Sequence, residues 1–171
     1  MLVYKWLSRN VADPGKYAEI YHTRLKLKAE KNPMQQPYKI VLNSTYGAMK
    51  DRHNAMYDPR QANNVCVGGQ LLLLDLIERL EDHCDIIQSN TDGILVKLRH
   101  DDDFELIDDI CWEWEKRTGM RLEFDEFQRV FQKDVNNYLI VPAGPLLDEK
   151  GKPRWKCKGA YVKKLSDLDY D

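Results

Sequence analysis

Cys84-Asp85-Ile86-Ile87-Gln88-Ser89-Asn90-Thr91-Asp92-Gly93-Ile94-Leu95-Val96-Lys97-Leu98 is the stretch on which the fold turns. Two short apolar runs flank four residues that favour turns, so the pattern predicts strands over 84–89 and 94–98 joined as a β-hairpin. Asn, Asp and Gly suit the turn because they tolerate its backbone angles and bond locally to it. A hairpin tip is also a place where a sheet can hold a carboxylate in a fixed position.

Outside the hairpin the period changes. Asp13-Pro14-Gly15 is a turn with helix-start character, and Tyr17 to Lys31 suits a helix that Asn32-Pro33 stops. Pro37 fits the first turn of a second helix running through Lys39 to about Gly47, which reads as a helix end or a close-approach point. Residues 50–60 are polar and irregular. Asp58-Pro59 opens a third helix, from about Arg60 to Leu80, and its Leu71-Leu72-Leu73-Leu74 run predicts burial. Downstream, 102–118 reads as an amphipathic helix with Phe104, Ile107, Cys111 and Trp114 on one apolar face, ended by Gly119. Arg121 to Phe127, Tyr138 to Val141 and Trp155 to Val162 read as strands, with turns at Gly144-Pro145 and 149–153. Helices first, then a hairpin-centred antiparallel sheet with packing helices, is an α+β pattern.

The 171 residues are long enough for a real core, and 43% hydrophobic with 32% charged residues describes a globular chain. The net charge of -2 does not advertise a polyanion partner, but its distribution is uneven. Lysines and arginines dominate the first third and return in the tail at Lys152, Lys156, Lys158, Lys163 and Lys164. Acids such as Asp101-Asp102-Asp103 lie between, an asymmetry compatible with a local phosphate-binding surface. Cys66, Cys84, Cys111 and Cys157 are widely spaced without a CxxC pair, which argues against a zinc site or disulfide framework. The first residues are too short and broken for a signal peptide, and no stretch approaches a transmembrane span. A cytoplasmic protein without a membrane partner is the expectation.

Four patterns carry chemistry. On a helix, Lys39, Asn43 and Tyr46 share one face, with Gly47 beside them. A lysine neutralises phosphate, a tyrosine offers a flat ring with a polar tip, and a glycine admits close approach. Arg24, Lys28 and Lys31 form a second basic face with only Glu30 nearby. Asp92 at the hairpin tip offers an oxygen ligand of the kind Mg²⁺ takes. Lys156 and Lys158 flank Cys157 on a strand, followed by Gly159 and Tyr161, a pattern that suits a nucleic-acid backbone. Taken singly, each has a plain structural explanation: an amphipathic helix, a solvated basic face, ordinary turn chemistry, and an edge strand guarded by lysine.

Their order and spacing together resemble family B DNA polymerases. Lys39-Ile40-Val41-Leu42-Asn43-Ser44-Thr45-Tyr46-Gly47 is similar to the family's K-x-x-x-N-S-x-Y-G pattern. Arg24 and Lys28 have the R-x-x-x-K spacing of its other fingers helix. Asn90-Thr91-Asp92-Gly93 stands where the family has D-T-D-S, and Lys156-x-Lys158-Gly159-x-Tyr161 resembles the later motif where palm meets thumb. The resemblance covers Tyr17 to Lys164. It implies helical fingers with a lead-in over 1–58 and a partial palm over 59–171, ending near the start of the thumb. Arg24, Lys28, Lys39, Asn43 and Tyr46 would bind the incoming dNTP. Asp92 and Lys39 would be the catalytic pair, with Asp92 the metal ligand and Asn90 a weak one for Mg²⁺ or Mn²⁺. Gly47, Lys156, Lys158, Gly159 and Tyr161 would touch primer-template DNA.

Two departures matter. Asn90 replaces the family's first aspartate, as in the N-T-D-G of small-genome phage members. The family's D-x-x-S-L-Y-P motif, source of the other essential carboxylate, has no counterpart here. One carboxylate cannot hold two metals. The reading is therefore a viral, phage-like polymerase present as a segment or split piece, incomplete and inactive alone, with the upstream polymerase segment among its partners. A non-catalytic nucleic-acid-binding module derived from a palm is the alternative. Self-association through uncovered apolar faces is a further outcome the reading allows.

Overall fold

In the computed structural model, residues 1–11, 13–100, 102–147 and 151–162 are described. Three helices come first: α1 (Pro14–Ala29), α2 (Gln35–Lys50) and α3 (Pro59–Leu80). The hairpin β1 (Cys84–Ser89) and β2 (Ile94–Leu98) follows, then α4 (Asp103–Thr118) and the strands β3 (Phe127–Asp134), β4 (Asn137–Pro142) and β5 (Lys156–Lys158). The α+β class holds. The strands divide into two antiparallel sheets, β1-β2 and β3-β4-β5, where one hairpin-centred sheet was expected.

Local chemistry sets the helix ends. Asp13 caps α1 by accepting from the amides of Gly15 and Lys16, with proline in the first turn. Lys31, at φ 53°, turns the chain left-handed, and the Asn32 amide reaches back to the Leu27 carbonyl. Lys31 thus leaves the basic face expected of α1. The α2 helix continues three residues past Gly47, so that glycine is a helical position and not a helix end. Asp58 caps α3 through the Gln61 amide.

The core lies where α3 and α4 pack on the hairpin. Leu76, Leu80, Cys84, Ile107, Cys111 and Trp114 are buried together, with Leu72, Ile86, Ile94, Val96, Leu98 and Leu122 against them. Full burial of a leucine-sized side chain contributes roughly 1.5–3 kcal/mol, so this cluster is the main source of stability. Burial holds both core thiols protonated, and Cys111 is pushed up to about 11.

Several expected features differ. Leu71 and Leu74 face solvent, because only the α3 stripe ending at Leu76 and Leu80 meets α4. Phe104 is exposed and packs edge-on against Phe124, 6.2 Å between ring centres. Arg121 to Phe127 is no strand: the Leu122 side chain joins the core and its amide donates to Glu115. The strand begins at Phe127, and bulges near both of its ends break the alternation that would announce it. Gly159, at φ 90°, ends β5 at Lys158, which shortens the expected Trp155–Val162 strand. Glu149 and Lys150 of the expected turn, with Lys163 and Lys164, lie outside the described residues. Large faces are left uncovered, among them Ile40, Val41, Val67 and Leu71.

Candidate functional site

The short connection 30–34 folds α1 against α2. Tyr17, Tyr21 and Arg24 fall on one face of α1 by helical spacing. They meet Leu42, Asn43 and Tyr46 of α2 across an open cleft of about 340 Å³, with Met1 also on its wall. Burial pushes the Tyr17 phenol up and the Met1 amino group down. The Nε of Arg24 is buried with no hydrogen-bond partner among the described residues. A desolvated donor without an acceptor costs about 1–3 kcal/mol, more when charged.

Tyr46 is held from behind. Its hydroxyl lies 2.6 Å from the Cys66 sulfur on α3, and the Lys50 ammonium stands 5.4 Å from its ring centre. The contact with Cys66 is the main cause of the raised Tyr46 pKa. Lys39 is exposed one turn before Asn43 on α2 and does not line the cleft. Lys28 does not line it either. Its ammonium is 2.5 Å from Glu123, a residue 95 positions away in sequence. The expectation of a cationic face offset only by Glu30 is therefore corrected: a distant carboxylate has folded onto it.

The hairpin tip leaves Asp92 exposed. Ser89 pairs with Ile94, the Asn90 amide donates to the Gly93 carbonyl, and the Asp92 amide donates to Asn90 Oδ1 at 3.1 Å. Asn90 therefore spends its amide oxygen on closing the turn. Among the described residues no three His, Cys, Asp or Glu side chains are grouped to hold a metal ion. One exposed carboxylate and one engaged amide do not by themselves fit Mg²⁺ or Mn²⁺ in the pair that two-metal chemistry uses.

The second sheet carries the remaining positions. β5 pairs with β4, setting Lys158 opposite Tyr138 and Lys156 opposite Ile140. Lys158 lies 5.6 Å from the Tyr138 ring centre, and Lys133 stands 3.3 Å from the ring of Tyr161, which is 75% exposed. Lys156 is 3.8 Å from Asp125. Gly159 has a structural duty: a Cβ there would stand 2.4 Å from the Asn136 carbonyl oxygen. The structure thus joins Arg24, Asn43 and Tyr46 in one cleft, and sets Lys156 and Lys158 on the edge strand β5, with Gly159 and Tyr161 just after it and the Tyr161 ring against Lys133 of β3. Asp92 stands on a third element.

Sequence reasoning missed Tyr17 and Tyr21, although their spacing from Arg24 repeats that of Lys39, Asn43 and Tyr46. It also missed Lys133, whose strand it did not predict, and it placed Tyr138 at a strand start without a role in the site. Glu123 and Cys66 carry no local signal, since each acts across a tertiary contact.

No family model matches the chain. A stretch of 33 residues, 19% of this chain, is 52% identical to part of the DNA polymerase of Acidianus bottle-shaped virus. That stretch is 5% of the viral protein's length, so the likeness is to a small part of a polymerase.

Proposed function

We propose that this chain is the fingers and partial palm of a family B DNA polymerase, working in template-directed addition of dNTP to a primer 3′-hydroxyl. The observation that carries the reading is the cleft in which Arg24, with its unpartnered Nε, faces Asn43 and Tyr46. The short likeness to a viral DNA polymerase supports it.

In this reading Arg24, Lys28 and Lys39 neutralise the triphosphate, and Asn43 fixes its orientation by hydrogen bonding. Tyr46, braced by Cys66, lies against the nascent base pair, and Gly47 leaves room for that approach. Lys156, Lys158 and Tyr161 grip the duplex through phosphate and ring contacts. The 3′-hydroxyl attacks the α-phosphate and pyrophosphate leaves. This chain contributes positioning and charge neutralisation, the two effects that dominate phosphoryl transfer. Asp92 supplies one carboxylate of the metal site, and its partner carboxylate comes from an upstream polymerase segment.

That no three His, Cys, Asp or Glu side chains group to hold a metal ion among the described residues favours one alternative, a nucleic-acid-binding module without catalysis. Primer extension separates the two. The chain alone, with Mg²⁺ and then Mn²⁺, should not extend a primer. Addition of a polymerase segment bearing a D-x-x-S-L-Y-P motif should restore extension, and Asp92→Ala should abolish it again. Restoration that survives Asp92→Ala would sink the catalytic role.

A further inference from the structure

Glu123 is the residue whose position nothing in the sequence motifs explains. It sits in the irregular segment between α4 and β3, its side chain 83% exposed, and its carboxylate contacts the Lys28 ammonium. The field of Arg24 also reaches it, and together Lys28 and Arg24 hold this carboxyl below its ordinary range. Two cations one helical turn apart on α1 thus share one acidic residue from a distant segment. On the same helix the Arg24 Nε remains buried and unpartnered.

Next to Glu123, the Leu122 side chain is packed in the core and its amide is tied to Glu115. The backbone is thereby anchored while the Glu123 side chain, apart from its contact with Lys28, lies in water. Swinging that side chain off Lys28 requires no change in the core, and an exposed ion pair is weak.

We propose that Glu123 is a specificity-determining residue: its carboxylate stands in for phosphate on Lys28 and is displaced only by ligands whose phosphate tail is long enough to reach that ammonium. This rests on the nucleotide site proposed above and adds a criterion to it. A triphosphate competes with Glu123 directly and gains Lys28 when it wins. A monophosphate held by Arg24, Asn43 and Tyr46 leaves the Lys28–Glu123 pair intact, so Glu123 lowers affinity for the longer tail alone and narrows the preference for triphosphate over monophosphate without touching affinity for base or sugar. Neutralising Glu123 removes the competitor without removing any ligand contact.

The test is equilibrium binding of dTTP, dTMP and inorganic tripolyphosphate at low salt to the chain, to Glu123→Gln, and to Glu123→Gln combined with Lys28→Ala. Melting curves check that each variant is folded. Glu123→Gln is expected to tighten dTTP and tripolyphosphate about two- to fivefold, the range of an exposed ion pair, and to leave dTMP unchanged. The gain should vanish with Lys28→Ala and shrink as salt is raised. Equal affinity of the chain and Glu123→Gln for both long anions would overturn the competition, as would an equal gain for dTMP. Tightened tripolyphosphate without measurable dTTP binding would uphold the competition and overturn the nucleotide site. Binding of neither anion by either protein would overturn both.

Discussion

The Tyr46 hydroxyl on α2 and the Cys66 sulfur on α3 lie 2.6 Å apart, joining the ring proposed to face a base pair to a helix outside the cleft. A net hydrogen bond of this kind is worth about 0.5–1.5 kcal/mol. If it holds the ring in its working position, Cys66→Ala should weaken dNTP binding by roughly twofold to tenfold. Cys66→Ser should restore much of it. Both residues are solvent-accessible, so melting temperatures should hardly move. Calorimetric titration of the two variants gives the comparison.

Gly47 separates structure from function. A Cβ at this helical position would meet nothing within 4 Å. Glycine inside a helix costs roughly 0.5–1 kcal/mol relative to alanine, so Gly47→Ala should raise stability slightly. It should at the same time weaken primer-template binding, since the methyl group would enter the open space that the proposed function gives to the base pair. Weaker DNA binding alongside an unchanged or higher melting temperature is the expected pair of results. Undiminished DNA binding would mean that nothing approaches this position.

Asp58 links the N-terminal segment to α3. It is 3% exposed and accepts from the Arg9 amide at 3.0 Å and from the Arg9 guanidinium at 2.9 and 3.0 Å. Those bonds, with the Gln61 amide, hold its carboxyl far below the usual carboxylate range. The folded state therefore favours the ionised form. The stabilisation is complete above the unfolded value of about 3.9 and is lost as pH falls through and below it. At pH 7, Asp58→Asn should melt roughly 2–6 °C below the native chain. That gap should narrow below about pH 4, as thermal melts across an acid series would record.

Leu80 tests where stability resides. It is 3% exposed in the cluster that joins α3, α4 and the hairpin. Leu80→Ala should cost about 2–5 kcal/mol in urea unfolding. Leu74→Ala, on the same helix but 48% exposed, should cost little. Similar losses for both would mean that the outer face of α3 is covered in solution, for example by self-association.

Much of this was legible in the sequence because its causes are local. Asp13-Pro14, Asn32-Pro33 and Asp58-Pro59 punctuate helices through capping and backbone restriction, and Asn90 to Gly93 closes the hairpin it announces. Arg24, Asn43 and Tyr46 could be placed on helix faces by spacing alone. What stayed hidden depends on tertiary partners. Leu122 and Phe124 alternate like a strand but find a helix core and a phenylalanine instead of a neighbouring strand. The β3 bulges erase the period of a real strand. The Lys28–Glu123 and Tyr46–Cys66 contacts join segments 95 and 20 residues apart, beyond the reach of any local pattern.

The central claim is that a nucleoside triphosphate binds between α1 and α2. Amide and side-chain NMR shifts of the 20.1 kDa chain, followed while dTTP with Mg²⁺ is added, test it most directly. Saturable shifts centred on Arg24, Lys39, Asn43 and Tyr46, and weakened in Arg24→Ala and Lys39→Ala, are the result the account predicts. Absence of saturable shifts at millimolar nucleotide, or shifts centred elsewhere and indifferent to those substitutions, would contradict it.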